Sequence, residues 1–552
     1  MSDNLSELLG RKGIKDNLFD KLGKLAKPEG SPSEEAMAKL ADEFLIGKAN
    51  AFGTASFYDY LKPENKGKKV YVCNGTACVC AGTQEKVIDS LKSKFDADEI
   101  GHMTCLGRCH ENSAFHYDGK NYSGDAISNL NSIVDSETNL NQDTYNIKAS
   151  GKQILTQTFT NIQEYYQPFL KALKQDSADV LEEIKISNVR GRGGAGFPMG
   201  LKLQFCRNVE NETKFIICNA DEGDPGAYSD RYLLEHQPHS VLFGMLISGY
   251  VTHAKYGILY IRAEYPEAVK IVQNAIDDLR TNNLIGDNIN GSDFSFDFKI
   301  IQAQGSYICG EETALINSIE GQRPEVRVRP PFPAQKGLFN KPTTVNNVET
   351  LAALHYIISN GGEAWKAIGT ERSSGTKLVS LDSFFNNPGM YEVEMGTPLS
   401  YVINELGGGF KSDVKAVQIG GPLGGLVPVS KFEDLTIDFE SFSKNGFLLG
   451  HASVVSIPKD FPIMKFIEHL FDFAAYESCG KCFPCRLGTK RGQELSEKAL
   501  TSDYKIDKKL FTDLLTTLEK GSLCAHGGGI SLPVRNALQY FDDELRKYFC
   551  DS

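Results

Sequence analysis

Two groups of cysteines supply the first chemistry. Cys479, Cys482 and Cys485 stand in YESCGKCFPCRLGT as a C-x2-C-x2-C run, and Cys524 follows later in GSLCAHGGG. Three thiolates on one wrapping loop, with a fourth from a distant turn, suit a cuboidal 4Fe-4S centre. Tetrahedral zinc is the alternative, although zinc sites more often pair two C-x2-C knuckles. Lys481 and Arg486 beside these ligands would offset the charge of a thiolate cluster and raise its potential. The second group is Cys73-x4-Cys78 in CNGTAC and Cys105-x3-Cys109 in CLGRC. Two unequal pairs, each at the end of an expected strand, suit two irons with two thiolates each, a 2Fe-2S centre; zinc again stays open. Cys80, Cys206, Cys218, Cys309 and Cys550 are scattered and read as small buried residues or inert thiols.

GRGGAG, Gly191 to Gly196, spells the dinucleotide fingerprint G-x-G-x-x-G. That fingerprint requires an apolar strand before it and a helix directly after it. EEIKISNVR precedes it and Phe197-Pro198 follow, so the Rossmann reading fails on context. What remains is a glycine-dense loop bearing Arg190 and Arg192 and running into GLKLQF, which can bring backbone N–H groups and Lys202 against a phosphate.

The elements that must position these groups alternate along the chain. Residues 1–62 carry apolar positions at helical spacing, interrupted by Pro28, Gly30 and Pro32, and predict a small helical bundle. Residues 63–133 predict a compact α/β unit around VYVC and the helix GTQEKVIDSLKSKF. A polar connection that becomes helical spans 134–180. From 181 to 375 three strand-then-helix units begin at KFIICNA, GILYIRA and FKIIQAQ, which predicts a largely parallel sheet covered by helices. Short strands and glycine turns over 376–455 predict a β-rich module, and 456–552 reads as helical. Asn219 and Asp221 end a strand and GEE opens a helix, the places where open α/β sheets bind ligands.

RGRGGAGFPMGLK, CNADEGDPGAYSDR, GSYICGEETALINSIEG, PPFPAQKGLFNKPTTVNNVET and ESCGKCFPCRLGT together resemble the motif set of the flavin-bearing, NADH-oxidising subunits of respiratory complex I and their relatives. Those relatives are the diaphorase subunits of NAD-linked hydrogenases and formate dehydrogenases. The first 133 residues or so, with FGTASFYDY, CNGTAC and CLGRC in order, resemble the separate 2Fe-2S, thioredoxin-like subunit of the same systems. The resemblance implies a multidomain α/β fold: helical bundle, thioredoxin-like 2Fe-2S domain, Rossmann-like FMN/NADH domain, ubiquitin-like β module and helical 4Fe-4S domain. It implies FMN, NAD(H), a 4Fe-4S and a 2Fe-2S cluster as cofactors. Carried over by position, Gly191, Gly193, Gly194, Lys202, Asn219, Asp221, Asn346 and Asn347 would hold FMN, and Arg192, Gly310 and Val345 would join the cofactor-binding set. Phe197 and Phe205 would stack on adenine, Tyr307, Glu311 and Glu312 would line the nicotinamide side, and Glu312 and Asp224 would orient the dinucleotide. The flavin, rather than a side chain, would accept the hydride.

DEGDPGAYSDR is closer to the hydrogenase-type diaphorases than to the DE-x-EPG-x-x-KDR form of complex I. We therefore expect a soluble hetero-oligomer with a catalytic partner of hydrogenase or formate dehydrogenase type that carries further iron-sulfur clusters. The NADH-input subunit of complex I and a zinc-stabilised scaffold without redox activity are the rival readings. Leu203 stands where many relatives have tryptophan and reads as packing, and His526 reads as a surface residue.

Composition narrows the classes. The 552 residues predict roughly three to five domains. With 59 basic and 71 acidic residues the net charge is -12, which argues against nucleic-acid partners. MSDNLSELLGRKG lacks the basic start and apolar core of an export signal. Thirteen cysteines in such a chain point to metal or redox chemistry rather than disulfides. The longest apolar run, SVLFGMLISGYV (240–251), falls well short of the roughly 20 residues a membrane helix needs. We expect a cytoplasmic protein without direct membrane contact.

Overall fold

The computed structural model describes residues 3–10, 13–14, 16–27, 29–135 and 145–550. Pro28 and residues 136–144 of the polar connection lie outside the described residues. The chain opens with helices α1 (Asp3–Gly10), α2 (Leu18–Ala26), α3 (Glu34–Glu43) and α4 (Lys48–Ala55). Asn17 and Ser33 cap α2 and α3 by accepting backbone N–H groups of their first turns, as short polar side chains do at helix starts.

A four-stranded sheet follows, in the order β2-β1-β3-β4, from β1 (Val70–Cys73), β2 (Ile100–Met103), β3 (Phe115–Tyr117) and β4 (Lys120–Tyr122). Strands β1 and β2 are parallel and the other pairs antiparallel. Helices α5 (Thr76–Cys80) and α6 (Gln84–Leu91) lie between β1 and β2. The polar connection then contributes β5 (Asn146–Ser150), a strand not apparent in its sequence.

Helices α7 (Ser177–Ile186) and α8 (Met199–Arg207) flank the glycine loop. Beyond them lies a parallel sheet of β6 (Phe215–Ala220), β7 (Tyr256–Ile261), β8 (Asp297–Gln302) and β9 (Thr343–Asn347), in the order β8-β7-β6-β9. The sheet has four strands rather than the three expected; TTVNN, too polar to read as a strand, pairs in parallel with β6. Its helices are α9 (Ser229–His236), α10 (Pro238–Thr252), α11 (Pro266–Thr281), α12 (Glu312–Ile319) and α13 (Val348–Ala352).

Both faces of this sheet are covered. Ile216, Cys218, Leu259 and Ile261 meet the apolar faces of α10 and α11. Phe215, Ile217, Ile258, Tyr260 and Ile301 meet Leu315 and Ile316 of α12 together with Phe19 and Leu22 of α2. The N-terminal bundle thus completes the second face, and a parallel sheet buried on both sides accounts for the uninterrupted apolar runs of its strands. The apolar stretch at 240–251 belongs to α10 and is buried nearly all round in this core. Among the described residues no helix is long and apolar enough to cross a membrane.

A six-stranded sheet, order β13-β12-β14-β10-β11-β5, contains β10 (Thr376–Leu381), β11 (Gly389–Glu394), β12 (Val414–Ile419), β13 (Gly425–Pro428) and β14 (Ser453–Pro458). The edge strand β5 runs parallel to β11. Just after it, the buried Glu392 carboxylate accepts from the backbone N–H groups of Ile154, Leu155 and Thr156, tying the connection to this sheet. The chain closes with helices α14 (Ile463–Tyr476), α15 (Phe483–Thr501), α16 (Lys508–Gly521) and α17 (Ser531–Tyr540).

Candidate functional site

In the order β8-β7-β6-β9 the chain winds outward from β6 to β8 and returns to the other side of β6. Strand order therefore reverses between β6 and β9, and ligands of open α/β sheets sit beyond the carboxyl ends at such a point. Register brings Asn219 opposite Asn347 and Cys218 opposite Asn346 there. The glycine loop lies over the same edge. A Cβ on Gly193 would come within 3.0 Å of Asn347 Cβ, and Gly194 has φ +119°, so neither position suits a larger residue.

The polar groups at this edge divide into used and unused. Asn219 Nδ2 donates to Gly310 O at 2.8 Å while its Oδ1 accepts from Asp221 N–H. Asn347 caps α13 and donates to Asp230 Oδ2 at 2.7 Å. Asp221 Oδ2 and Asn346 Nδ2 are buried with no partner among the described residues. Buried polar atoms are costly to leave unpaired, so these two are groups for a ligand's polar edge to satisfy. Burial, followed by neighbouring charges, pushes the Asp221 carboxyl well above the usual carboxylate range.

Lys202 Nζ reaches Val345 O at 2.9 Å and Glu312 Oε2 at 3.1 Å, and Arg329 approaches the other Glu312 oxygen at 3.3 Å. Phe197 and Phe205 stand 45% and 52% exposed, leaving flat apolar faces open beside the glycine loop. Tyr307 donates its hydroxyl to Asp224 Oδ1 at 2.9 Å and packs its ring on Phe473 of α14.

Two of the expected site residues also bond within the protein. The Arg192 side chain turns away from the edge, donating to Ser374 O at 2.6 Å above the Trp365 ring, while its own N–H donates to Thr350 Oγ1. It anchors the loop, and any contact with a nucleotide falls to the loop's backbone. Glu311 caps α12, one carboxylate oxygen accepting from Thr313 and Ala314 N–H, so half of it serves the helix. Leu203 is fully buried.

The C-terminal cysteines meet where α14 ends and α15 begins. Gly480, at φ +77°, permits the turn between Cys479 and Cys482. Cys482 stands at the start of α15, and Cys524 precedes the short helix Ala525–Gly529. Burial pushes the Cys485 thiol up to about 11, with Cys482 and Cys479 adding to it. The Cys524 thiol is pushed up to about 12, again chiefly by burial and then by neighbours that include Cys479 and Cys485. Lys481 does not stand free to offset a cluster's charge, because it pairs with Glu325 at 2.9 Å. His526 is also corrected: it is buried, with Nε2 2.9 Å from Ala474 O, because Ala525–Gly529 packs back onto α14.

The N-terminal four cysteines are all buried. Cys105 Sγ lies 3.6 Å from Cys109 Sγ, the spacing of two thiolates on one metal atom. A hydrogen bond from Cys78 is the largest influence drawing the Cys73 thiol down to about 7, against its burial and with help from Gly75 and Leu106 N–H. Among the described residues no three His, Cys, Asp or Glu side chains gather as ligands of one ion would. Cys80 packs among the C-terminal helices and burial pushes its thiol up, as for an inert thiol.

Loops of the parallel sheet grip this second cysteine loop. Gly226 N–H donates to Cys109 Sγ at 3.2 Å, from the same DEGDPG segment that carries Asp221 and Asp224. Arg262, at the end of β7, donates to Cys105 O at 2.9 Å, to Glu264 at 2.8 Å and to Glu222 O. Arg231 donates to Gly107 O. Arg231 closes the motif CNADEGDPGAYSDR, whereas no motif points to Arg262 or His451.

Residues 184–356 match the family described as the Nuo51 FMN-binding domain, 465–548 the NADH-ubiquinone oxidoreductase-F iron-sulfur binding region, and 10–137 the thioredoxin-like 2Fe-2S ferredoxin family. The NADP-reducing hydrogenase subunit HndC of Solidesulfovibrio fructosivorans is 41% identical over 70% of this chain and 79% of that protein. The chain belongs to the family of NADH-oxidising flavoprotein subunits. The mitochondrial NADH dehydrogenase (ubiquinone) flavoprotein 1 of Dictyostelium discoideum is 36% identical over 66% of this chain and 78% of its own length. The NAD-reducing hydrogenase HoxS subunit alpha of Cupriavidus necator is 39% identical over 66% and 59%. A crystal structure of an air-oxidised NAD+-reducing NiFe-hydrogenase contains a chain of similar fold, with a TM-score of 0.85, 28% identity, and 97% and 94% of the two chains covered. FMN, NAD(H), a 4Fe-4S cluster and a 2Fe-2S cluster are this family's cofactors, and the chain carries a domain for FMN and one for each cluster.

Proposed function

We propose that this chain is the NAD(H)-facing diaphorase subunit of a soluble, cytoplasmic, multi-subunit oxidoreductase, with a hydrogenase-type catalytic partner. The observation that carries the reading is the near full-length likeness to a chain of an NAD+-reducing hydrogenase, which spans the N-terminal 2Fe-2S region as well as the flavin domain. DEGDPGAYSDR, closer to the diaphorase than to the complex I form, supports it. A formate dehydrogenase partner fits the same chemistry.

In this reading the backbone of Gly191, Gly193 and Gly194 with Lys202 takes the phosphate of FMN. Asn219, Asp221, Val345, Asn346 and Asn347, with Gly310, would complete the FMN site. Bound FMN supplies the conversion of a two-electron hydride into single electrons that nicotinamide cannot perform. The chain's own groups bind and orient. Phe197 and Phe205 take the adenine, while Tyr307, Asp224 and Glu312 fix the nicotinamide end, with Glu312 held between Lys202 and Arg329. Cys479, Cys482, Cys485 and Cys524 ligate the 4Fe-4S cluster, and Cys73, Cys78, Cys105 and Cys109 the 2Fe-2S cluster.

Purifying the chain with its partners under argon tests this. We expect iron, acid-labile sulfide and extractable FMN, with a hydrogenase or formate dehydrogenase catalytic chain co-purifying. Colourless protein holding zinc and no flavin would sink the redox assignment, and co-purifying membrane-arm subunits would replace the diaphorase reading with the complex I one.

A further inference from the structure

His451 enters the nucleotide edge from a part of the chain remote from every motif above. It lies in the turn before β14, between Gly450 at φ +58° and Ala452 at φ +65°. The left-handed region is uncommon for a residue bearing Cβ, and such conformations persist where the surroundings enforce them. The turn abuts the glycine loop, since a Cβ on Gly194 would lie 3.8 Å from Gly450 Cα. The imidazole is only 8% exposed; its Nε2 lies at an ion-pair distance of 3.0 Å from Asp224 Oδ2, and neither ring nitrogen has a hydrogen-bond partner among the described residues. The other Asp224 oxygen accepts the Tyr307 hydroxyl. Three side chains from three segments therefore form one line: His451, Asp224, Tyr307.

We infer that His451 is a positioning residue for the reduced dinucleotide: as an imidazolium it fixes the Asp224 carboxylate, and through it the Tyr307 hydroxyl at the nicotinamide end. This rests on the nucleotide reading above. The charged groups around the ring favour the cation on balance. Burial lowers its proton affinity, but Asp224 and Glu222 outweigh that and the opposing Lys377, so the proton stays on above the ordinary histidine range. Lys377 is itself held by Glu349, and Asp230, beside Glu222, is pushed well above the usual carboxylate range by burial and then by Glu222, so it adds little charge on that side. As pH rises and the ring loses its proton, an uncompensated carboxylate is left beside a site that takes an anionic dinucleotide.

The test uses the full chain loaded with FMN and clusters. A tetrahydronicotinamide analogue of NADH, which carries the charge of NADH and cannot donate hydride, is titrated while the oxidised flavin absorbance is followed. For the native chain the dissociation constant should rise about tenfold as pH is raised through the His451 transition, the scale of one charge-assisted contact. His451→Gln should bind at all pH values as the native chain does at high pH, with no step. Asp224→Asn, which cuts the line at its centre, should lose the step too. Flavin and iron contents equal to the native chain's confirm that the variants are folded. A step of native size in His451→Gln would overturn the inference while leaving the nucleotide site intact. Absence of binding by the native chain at every pH would overturn the nucleotide reading and this one with it.

Discussion

Replacing Arg262 by leucine should loosen the 2Fe-2S unit from the flavin sheet. The guanidinium is 3% exposed and spans the boundary, with Glu264 and Glu222 O on its own side and Cys105 O on the other. Without it the Glu264 carboxylate, 2% exposed and with Oε2 already unpaired, becomes a buried charge lacking its cation. Removing one partner of a buried ion pair costs about 3–5 kcal/mol. At about 1.4 kcal/mol per tenfold, the opened state should rise by about two to three and a half orders of magnitude. Because the guanidinium bonds the Cys105 carbonyl, that opening should fall on the cysteine loop. Hydrogen exchange of the amides at 104–109 would report it, alongside the electron paramagnetic resonance signal of the reduced 2Fe-2S cluster. The double variant Arg262→Leu/Glu264→Leu should recover much of the lost protection, since replacing both members of a buried pair by apolar residues is often close to neutral. Native protection in the single variant, or no recovery in the double, would refute the claim that this ion pair clamps the two units.

Other substitutions separate binding from transfer. Cys482→Ala should leave NADH able to bleach bound FMN in stopped-flow while electron delivery to the catalytic partner is lost; normal partner activity would contradict the assigned path. Lys202→Glu sets a carboxylate against Val345 O and Glu312 and removes a charge-assisted contact of about 1.5–3 kcal/mol, so FMN affinity should fall at least about tenfold, and flavin retention through gel filtration would refute the phosphate role. His239 is buried beside Tyr166 and its pKa is lowered to about 4, chiefly by burial. Its native state therefore disfavours the proton that the unfolded chain takes up below about pH 6.5. Stability should fall by about 3 kcal/mol as pH drops from 6.5 toward 4, and His239→Gln should flatten that limb in denaturant titrations of the flavin domain.

What could be read from sequence depended on whether a residue's partners lay close along the chain. The cysteine runs were legible because cluster ligands come from one or two short loops. The strands β6, β7 and β8 were legible because burial on both faces writes itself as an apolar run. Strand β9 was not: Thr343 and Thr344 are buried inside it and Asn346 and Asn347 end it, so it lacks the apolar run that announces a buried strand. Strand β5 lies at a sheet edge with its first three residues exposed and carries no apolar pattern.

The residues that join one cofactor region to another left no mark of spacing or period. Arg262 meets Cys105 across 157 positions, and Gly226 meets Cys109 across 117. His526 misled for the same reason, since AHGGG reads as a surface loop until Ala474 O is found beneath it. The motifs gather the residues expected to meet a cofactor, whereas Arg262 and His451, outside them, and Gly226, within one, contact neighbours of those residues or the cysteine loop. Substitution at Arg262 or Gly226 should leave each cofactor bound while altering how the centres communicate, whereas substitution at His451 should act on dinucleotide affinity. The DEGDPG segment is where the two classes meet. Asp221 and Asp224 face the nucleotide edge while Gly226, two positions on, donates its N–H to Cys109, and hydrogen bonds to cluster sulfur are one of the influences that set potential. A shift of this short loop on dinucleotide binding therefore has a direct physical route to the 2Fe-2S centre.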